Sequence, residues 1–277
     1  MTQRQPDTHL FWRDPALPFI EARAVDDGRK VCYDRHAHPT FSVGVVTGGE
    51  SIYWNQGRQA NIRAGTVVLI NPEDVHACNP NADLAWSYRM FYVDVAWLAR
   101  RQHGHEGADA RDFRPLATIV STDAGLYRGL NTLFDTLADP DSDVLCMESA
   151  AVDYFDTLCR RLDPVSDDRD QPPNHRLDRA ADFIDAHCTG ALQLDDICAA
   201  SGLSPSYLIR AFKTRYGMTP HAWLINRRIR YAQTELKLGR PIADVALAAG
   251  FADQAHFQRQ FKRHVAATPR QYITPRR

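Results

Sequence analysis

Three histidines in the first third of the chain have the type and spacing of ligand-binding residues. His36 and His38 lie one residue apart in "RHAH" (residues 35–38), and His76 ends "NPEDVH" (residues 71–76). Residues two apart on a strand point to the same face, so His36 and His38 can look into one cavity that His76 reaches from another strand. Imidazoles bind Zn, Fe or Cu, contact organic ligands, or pack in a core with their hydrogen bonds satisfied. The spacing alone leaves these three uses open.

A second set of polar side chains, near the C-terminus, has the chemistry of nucleic-acid recognition. In "GFADQAHFQRQFKRHVAATP" (residues 250–269), Phe257, Phe261 and Val265 recur every four residues and form an apolar stripe on a helix. The opposite face carries Gln254, Gln258, Arg259 and Lys262. Glutamine pairs with adenine, arginine with guanine, and lysine and arginine with phosphate oxygens. Taken alone, this stretch is more typical of a solvated amphipathic helix, because most polar helix faces meet only water.

The pattern occurs twice, which favours nucleic-acid recognition. An earlier copy, "GLSPSYLIRAFKTRYGMTP", occupies residues 202–220, and its Phe212-to-Pro220 interval equals the Phe261-to-Pro269 interval. Each copy follows a short Ala-rich segment that ends at a glycine, the residue best suited to a left-handed position after a helix. A short helix, a tight glycine turn and a second helix make a helix-turn-helix, and the sequence predicts two of them.

Helix signals also define the segment between the two copies. Ser204 and Asp253 are the expected N-caps of the second helix in each copy. Between the copies, Thr219 can cap a helix whose first turn contains Pro220, and no breaker follows until Gly239. The sequence therefore predicts one long helix that joins the two helix-turn-helix units.

Charge is divided unevenly along the chain. The 277 residues are 44% hydrophobic, enough for two ordinary cores, and carry a net charge of −1. Residues 1–173 contain 17 Lys+Arg and 26 Asp+Glu, whereas residues 174–277 contain 16 and 8. The basic C-terminal part thus suits a polyanionic partner such as double-stranded DNA, because phosphate neutralisation drives much of the affinity for DNA.

Several functional classes lack their sequence signals. There is no apolar stretch long enough to span a membrane, and the start lacks the order of a signal peptide, so we expect a cytoplasmic protein without membrane contact. The six cysteines are scattered without a CxxC pair, which indicates neither a disulfide framework nor a zinc knuckle. No phosphate-binding glycine loop or Ser-His-Asp order occurs. We expect no enzyme activity and no cofactor.

Short strands are expected from Lys30 to Asp94. Glycine-marked turns, "TGGE", "NQGR" and "RAG", separate apolar runs and indicate an antiparallel barrel or sandwich. Alternation in "WSYRMFYVD" (residues 86–94) places four side chains on one face, where they form either a pocket wall or plain core. The residues expected to contact a small-molecule effector are His36, His38, His76, Trp86, Tyr88, Met90 and Tyr92.

The C-terminal motif identifies the family that the chain resembles. "GFADQAHFQRQFKRHVAATPRQYI" closely resembles the second helix-turn-helix of AraC/XylS bacterial transcription regulators, and the likeness extends over roughly the last 100 residues. The barrel, with its "RHAH" and "NPEDVH", looks like the cupin-type sensor domain that many members carry. The resemblance implies an effector-controlled, sequence-specific regulator, mostly an activator, with RNA polymerase as a partner.

The resemblance also implies roles for individual residues. In this family the second helix of each unit enters the major groove. Base contacts would come from Ser206, Ile209, Arg210, Gln254, Ala255, Gln258 and Arg259. Phosphate contacts would come from Lys213, Lys262 and Arg263. Ile209 also suits a reading from the residues themselves, because an apolar side chain on a polar helix face can meet a thymine methyl group.

After Asp123 the sequence predicts two helices separated by "ADPDSD" (residues 138–143). The second has apolar residues at helical spacing, more than a small barrel needs: Leu145, Val152, Phe155, Leu158 and Leu162. In related regulators such a pair forms the dimer contact. We therefore expect a homodimer through residues 143–162.

A metal is disfavoured by comparison with metal-binding cupins, which usually supply a Glu four or five residues after the paired histidines. Those positions hold Ser42 and Val43 here, so His36, His38 and His76 remain weak candidates for metal ligands. Two other functions stay open at this point. One is a metal-dependent cupin enzyme with a DNA-binding tail, and the other is an architectural DNA binder that needs no effector.

The expected fold is multidomain. Residues 1–162 form a cupin-like antiparallel β-barrel with a following helical pair, for effector sensing and dimerisation. Residues 163–174, "DPVSDDRDQPPN", form a linker, and residues 175–277 form an all-α domain with two helix-turn-helix units joined by a long helix.

Overall fold

The structure is a computed structural model that describes residues 9–29, 31–80, 84–103, 112–162 and 174–274. In the described N-terminal part, eight strands form an antiparallel sheet, which folds into the expected barrel. In chain order the strands are β1 (His9–Trp12), β2 (Ile20–Val25), β3 (Phe41–Asn55), β4 (Arg58–Arg63), β5 (Val67–Ile70), β6 (His76–Pro80), β7 (Trp86–Val93) and β8 (Val120–Ser121).

The barrel has two layers, one with β5 and β7 and the other with β4 and β6. Strand β3 belongs to both layers, because it is long enough to pair with all four of these strands. Its first part pairs with β5 and β7, and its second part pairs with β4 and β6. The turn expected at "TGGE" is wrong, since the register only shifts between Val46 and Gly48 and the chain stays in the sheet. Gly49 has a φ of 66°, and a Cβ there would lie 1.9 Å from the carbonyl oxygen of Ala85. Glycine thus permits a bulge that bends β3 from one layer to the other.

Strands β1 and β2 precede the region where strands were expected. The segment "IEARAV" of β2 pairs with β7, and Arg23 lies opposite Met90 in the register. Arg23 is only 1% exposed, so a charged residue occupies an interior position and hides the apolar alternation. Tertiary contacts, rather than local pattern, place this strand in the sheet.

The N-terminal part also has three helices. Helix α1 (Val95–His103) lies between β7 and β8, and α2 (Ala124–Ala138) and α3 (Val144–Arg161) follow β8. Helices α2 and α3 confirm the expected pair. Asp123 caps α2 by accepting hydrogen bonds from the next turn, and Asp143 does the same for α3.

The apolar face of α3 packs within its own domain. Phe155 and Leu158 are fully buried in the barrel core, and Phe155 meets Trp97 of α1 edge to face at 5.5 Å. Leu145 remains 73% exposed at the start of the helix. The inference that α3 has spare apolar surface for a partner is therefore wrong for most of this stripe, because α1 and α2 cover it.

The C-terminal part is all α-helical, as expected. Its helices are α4 (His175–His187), α5 (Leu194–Ser201), α6 (Pro205–Tyr216), α7 (Pro220–Lys237), α8 (Ile242–Ala248), α9 (Gln254–Val265) and α10 (Pro269–Ile273). The expected linker lies outside the described residues except for Asn174, whose side chain caps α4. Helix α7 begins after the Thr219 cap and ends just before Gly239, as the sequence predicts.

Helices α5–α6 and α8–α9 are the two helix-turn-helix units. Gly202 (φ 67°) and Gly250 (φ 80°) occupy the left-handed turn positions between the helices of each unit. Asp253 caps α9 by accepting from the His256 N–H at 2.6 Å. Ser204 precedes α6 as expected, but its side chain makes no capping hydrogen bond.

The second helix of each unit, α6 or α9, meets the barrel at its C-terminal end, and these two are the expected recognition helices. A Cβ at Gly217, just after α6, would lie 3.3 Å from Trp54 of β3. Ala266, just after α9, accepts a hydrogen bond from Arg23 at 3.1 Å. Barrel residues also enter the helical cores, where Val75 joins the first unit and Phe11 joins the second. The barrel is therefore a common support for both units.

Candidate DNA-reading helices and effector cavity

All seven residues expected to read bases are exposed on the two recognition helices. These are Ser206, Ile209 and Arg210 on α6, and Gln254, Ala255, Gln258 and Arg259 on α9. Four apolar residues on the opposite side of these helices are fully buried: Leu208 and Phe212 on α6, and Phe257 and Phe261 on α9. Each helix thus offers an exposed surface to a duplex, polar except at Ile209 and Ala255, and the reading roles of individual residues stay predictions.

Tyr207 is a further candidate that the sequence reasoning passed over. It lies in the first turn of α6 next to Ser206, and it is 47% exposed. A large aromatic residue so exposed at the start of a recognition helix can donate its hydroxyl to a phosphate. The sequence alone could have indicated Tyr207, because it is an aromatic residue outside the apolar stripe of the helix.

The three phosphate candidates differ in their surroundings. Lys213 and Lys262 are exposed. Arg263 is also exposed, but its Nε lies 3.0 Å from Oδ2 of Asp34 in the barrel. The Asp34 N–H donates to the Arg263 carbonyl oxygen at 2.9 Å. The Arg263 guanidinium, which was expected to contact a DNA phosphate, is therefore paired with a carboxylate of the barrel.

The barrel interior brings together all the residues expected to contact an effector. His36, His38, His76, Trp86, Tyr88, Met90 and Tyr92 line one interior void. That void is only about 30 Å³, because the side chains fill the space themselves. Trp86, for example, stacks on Tyr88 with ring centroids 4.6 Å apart. A void of this size holds about one water molecule rather than an organic effector.

The histidines are fixed by backbone hydrogen bonds. His36 and His76 form an isolated β-bridge, with ring centroids 4.3 Å apart. Nδ1 of His36 lies 2.8 Å from the Asp34 carbonyl oxygen, and Nδ1 of His76 lies 2.8 Å from that of Asp74. Nδ1 of His38 lies 3.0 Å from the Thr40 carbonyl oxygen. Since a carbonyl oxygen only accepts, each Nδ1 carries the proton and each Nε2 is left as an acceptor.

The imidazoles are neutral near pH 7. Burial, with the neighbouring imidazoles, lowers the pKa of His38 and of His76 to about 3, and it lowers the pKa of His36 well below its usual value. Backbone anchoring of this kind also orients histidines that bind metals. Among the described residues, however, no group of three or more potential ligands is arranged to hold a metal ion.

A larger cavity, which we call the interdomain cavity, lies between the barrel mouth and the helical domain. Its volume is about 390 Å³, which is in the range of pockets for small ligands. The barrel contributes Phe11, Arg13, Glu21, Arg23, Tyr33, His36, His38, Thr40 and Tyr92, and the helices contribute Asn226, Ile229, Arg230, Gln233, Thr234, Lys237, His264 and Tyr272, with others. Only three residues of the predicted effector set reach it, since a cavity shared by two domains leaves no local pattern in the sequence.

Positive charge exceeds negative charge around this cavity. Arg13 and Lys237 both pair with Glu21. In the first pair, Nε of Arg13 lies 2.7 Å from Oε2 of Glu21. Arg230 pairs with Glu73 at 3.0 Å. Burial opposes ionisation of Glu21, but the charges of Lys237 and Arg13 outweigh it and hold the pKa of this carboxyl below its usual value. Glu21 is therefore ionised and shared between two cations.

Arg23 connects the cavity with the second recognition helix. Its Nη1 donates to the Val265 carbonyl oxygen at 2.6 Å and to the Tyr33 hydroxyl at 2.8 Å. Its Nη2 donates to the Ala266 carbonyl oxygen. A cation at the carboxyl end of a helix is favourable because the last carbonyl groups there carry partial negative charge. One side chain thus lines the cavity and holds the end of α9.

Family models match both parts of this arrangement. An AraC-like ligand binding domain matches residues 20–151, and a helix-turn-helix domain matches residues 197–274. The chain belongs to the AraC family. It is a DNA-binding transcription regulator with a ligand-binding domain, and the resemblance in the "GFADQAHF" motif is confirmed.

Relatives of the AraC-family chain cover nearly its whole length. An HTH-type transcriptional regulator of Bacillus subtilis, YbfI, is 26% identical over 91% of this chain and 90% of its own length. The arabinose operon regulatory protein of Escherichia coli is 24% identical over 84% of this chain and 80% of its own. Both domains are therefore shared, in the same order, with these relatives.

Solved structures show the same fold for the AraC-family chain. A crystal structure of an apo ToxT variant from Vibrio cholerae has a TM-score of 0.58 at 15% identity, over 92% of this chain and 96% of that one. The expected multidomain fold, an antiparallel barrel followed by a helical domain, is confirmed. Among the described residues, none of the helices is both long and apolar enough to cross a membrane.

Proposed function

We propose that this AraC-family protein is an activator that reads two DNA segments with α6 and α9 and responds to a small effector bound in the interdomain cavity. The two domains occupy residues 1–162 and 175–277 in this proposal. The regulator acts in the cytoplasm. It uses Ser206, Ile209, Arg210, Gln254, Ala255, Gln258 and Arg259 for bases, and Lys213, Lys262 and Arg263 for phosphates.

One observation carries this proposal: both recognition helices end on the barrel that lines the cavity, and the end of α9 lies beside the cavity itself. Arg23 holds the end of α9, and Trp54 lies against the end of α6. A ligand that alters the barrel mouth would therefore act on both reading helices together. Such control requires a ligand with different affinities for two arrangements of the domains.

The effector site in this proposal differs from the one expected from the sequence. His36, His38 and Tyr92 contact the effector from the barrel side, with Arg23 beside them. Trp86, Tyr88, Met90 and His76 form the packed wall behind these residues. The rings of His36 and His38 lie against the His76 ring of this wall, with centroids 4.3 and 4.8 Å away.

Two partners follow from the family resemblance. An activator contacts RNA polymerase, and a homodimer forms through the exposed part of residues 143–162. On α3, Val144 and Leu145 are 44% and 73% exposed, which supports a smaller dimer contact than the sequence suggested. Light scattering at micromolar concentration tests this contact, and a monomer both with and without DNA would remove the dimer from the proposal.

The function is tested by selecting genomic DNA fragments on the purified full chain at near-physiological salt and sequencing those retained. We expect two short conserved blocks about one helical turn apart, because the two reading helices lie on one chain. An AT-biased pool without conserved blocks would contradict sequence-specific reading and favour an architectural DNA binder.

A further inference from the structure

The interdomain cavity presents three hydrogen-bond acceptors from imidazole rings. His36 and His38 line it from the barrel, and His264 lines it from α9. Nδ1 of His264 lies 2.9 Å from the Gln260 carbonyl oxygen, so this ring is anchored like the other two. Each ring therefore offers Nε2 as an acceptor to its surroundings.

These rings stay neutral near pH 7, so their Nε2 atoms remain acceptors and do not become donors. Burial lowers the pKa of His264, as it does for His36 and His38. The Ser42 hydroxyl lies 3.4 Å from His38 Nε2, a long contact. A buried acceptor that meets only apolar atoms loses its hydrogen bond to water without replacement. A ligand that fits this wall must therefore bring hydrogen-bond donors, and hydroxyl groups are the simplest.

The opposite requirement comes from the cations of the cavity. Arg13, Arg23, Arg230 and Lys237 line it. Within the part of the chain that the structure describes, Glu21 is the one acidic side chain in the lining. Glu21 serves both Arg13 and Lys237, while Arg230 turns to Glu73 outside the lining. A second carboxylate would bring the cavity closer to electrical balance, and arginine binds carboxylates with well-defined geometry.

We propose that the effector is a polyhydroxylated carboxylic acid, that is, a sugar acid. Its hydroxyl groups donate to the imidazoles of the barrel side, and its carboxylate lies among Arg13, Arg230 and Lys237. This inference rests on the proposed function, because it names the ligand of the same cavity. The proposed ligand differs from a neutral sugar because it carries a carboxylate, and from a fatty acid because it carries several hydroxyl groups.

The test uses the full chain and four probes at equal pH and ionic strength. D-galacturonate and D-gluconate carry both features, D-galactose carries hydroxyl groups without charge, and hexanoate carries charge without hydroxyl groups. Isothermal titration calorimetry measures binding of each, and thermal unfolding measures stabilisation. We expect at least one sugar acid to bind about tenfold or more tightly than both matched probes, since unpaired polar groups in the site penalise each of them. Failure of both sugar acids to bind, or equal binding of hexanoate, overturns the ligand class.

Variants separate the cavity from general charge effects. Lys237→Gln removes a cation from the cavity and should weaken sugar-acid binding about tenfold or more. Arg176→Gln removes a cation from the exposed start of α4 in the same domain and should leave binding unchanged. Circular dichroism checks that both variants are folded. Equal affinity of wild type and Lys237→Gln overturns the placement of the carboxylate.

DNA selection keeps this inference distinct from the proposed function. Selected DNA blocks without sugar-acid binding overturn the ligand class and leave the regulator in place. Sugar-acid binding without selected blocks supports the ligand class and contradicts sequence-specific reading.

Discussion

We predict that two exposed side chains of α9 have different roles in DNA binding. Arg259 and Lys262 are both exposed on the same helix, but only Arg259 belongs to the predicted base-reading set. Arginine reads guanine through two hydrogen bonds, whereas a lysine on phosphate carries no sequence information.

The first prediction concerns this division. Arg259→Ala should weaken binding to selected DNA by about 1–3 kcal/mol and relax one base position, while Lys262→Ala should weaken all sequences alike. Fluorescence anisotropy on selected and random duplexes measures both effects. Equal losses on the two duplexes for Arg259→Ala would refute its reading role.

Asp34 and Arg263 suggest competition between the barrel and DNA. The pair is a barrel carboxylate bound to a cation at the end of a recognition helix. We expect Asp34→Asn to raise the affinity for random duplex DNA and to steepen the dependence of log affinity on log salt by about 0.9, the value for one more phosphate contact. Asp27→Asn, which removes a barrel charge paired with Arg29, is the matched control. An identical response of the two variants would show that only net charge matters.

Buried histidines predict how stability changes with pH. His38 and His76 have a pKa of about 3 when folded, against about 6.5 when unfolded. Between these values the unfolded chain binds protons that the folded chain does not, so stability is lost as the pH falls below about 6.5. Each histidine contributes up to about 1.4 kcal/mol per pH unit. The midpoint temperature of thermal unfolding should decrease as the pH is lowered from about 7 to about 5. This decrease should be less steep for His38→Gln than for the wild type. Parallel curves for the two proteins would contradict this assignment.

At the scale of the elements, local signals predicted the helical domain well. Thr219, Gly239 and Gly250 fix helix ends through caps and left-handed turns, which depend on only a few neighbouring residues. The barrel was predicted less completely. Strand β2 was not predicted, because the buried Arg23 interrupts its alternation of apolar residues. The bulge at Gly49 resembled a turn in the sequence, because both structures use a glycine with positive φ.

The glycine turns of the two units offer a matched pair for a stability test. A Cβ at Gly202 meets nothing within 4 Å, whereas one at Gly250 would lie 2.6 Å from the Thr189 carbonyl oxygen. Gly202→Ala should cost about 1–2 kcal/mol from its left-handed backbone alone, and Gly250→Ala should cost more. Thermal unfolding of the full chain compares them, with about 2–4 °C expected for each kcal/mol. A Gly202→Ala midpoint at or below that of Gly250→Ala would be inconsistent with the close approach.

At the scale of the whole molecule, the acidic N-terminal half and the basic C-terminal half form ion pairs with each other. Glu73 of the barrel pairs with Arg227 and Arg230 of α7, and Glu21 pairs with Lys237. The charge division seen in the sequence predicted a polyanion partner and missed this internal role. The interdomain cavity was also beyond prediction, because its lining runs from Phe11 to Tyr272 and depends on how the domains dock.

We propose that one chain reads two DNA segments with helices that a common barrel supports. Hydroxyl-radical footprinting on a selected site tests it most directly. We expect two protected segments about one helical turn apart, with Arg210→Ala weakening protection of one segment and Arg259→Ala weakening the other. A single protected segment, or loss of the same segment in both variants, would contradict it.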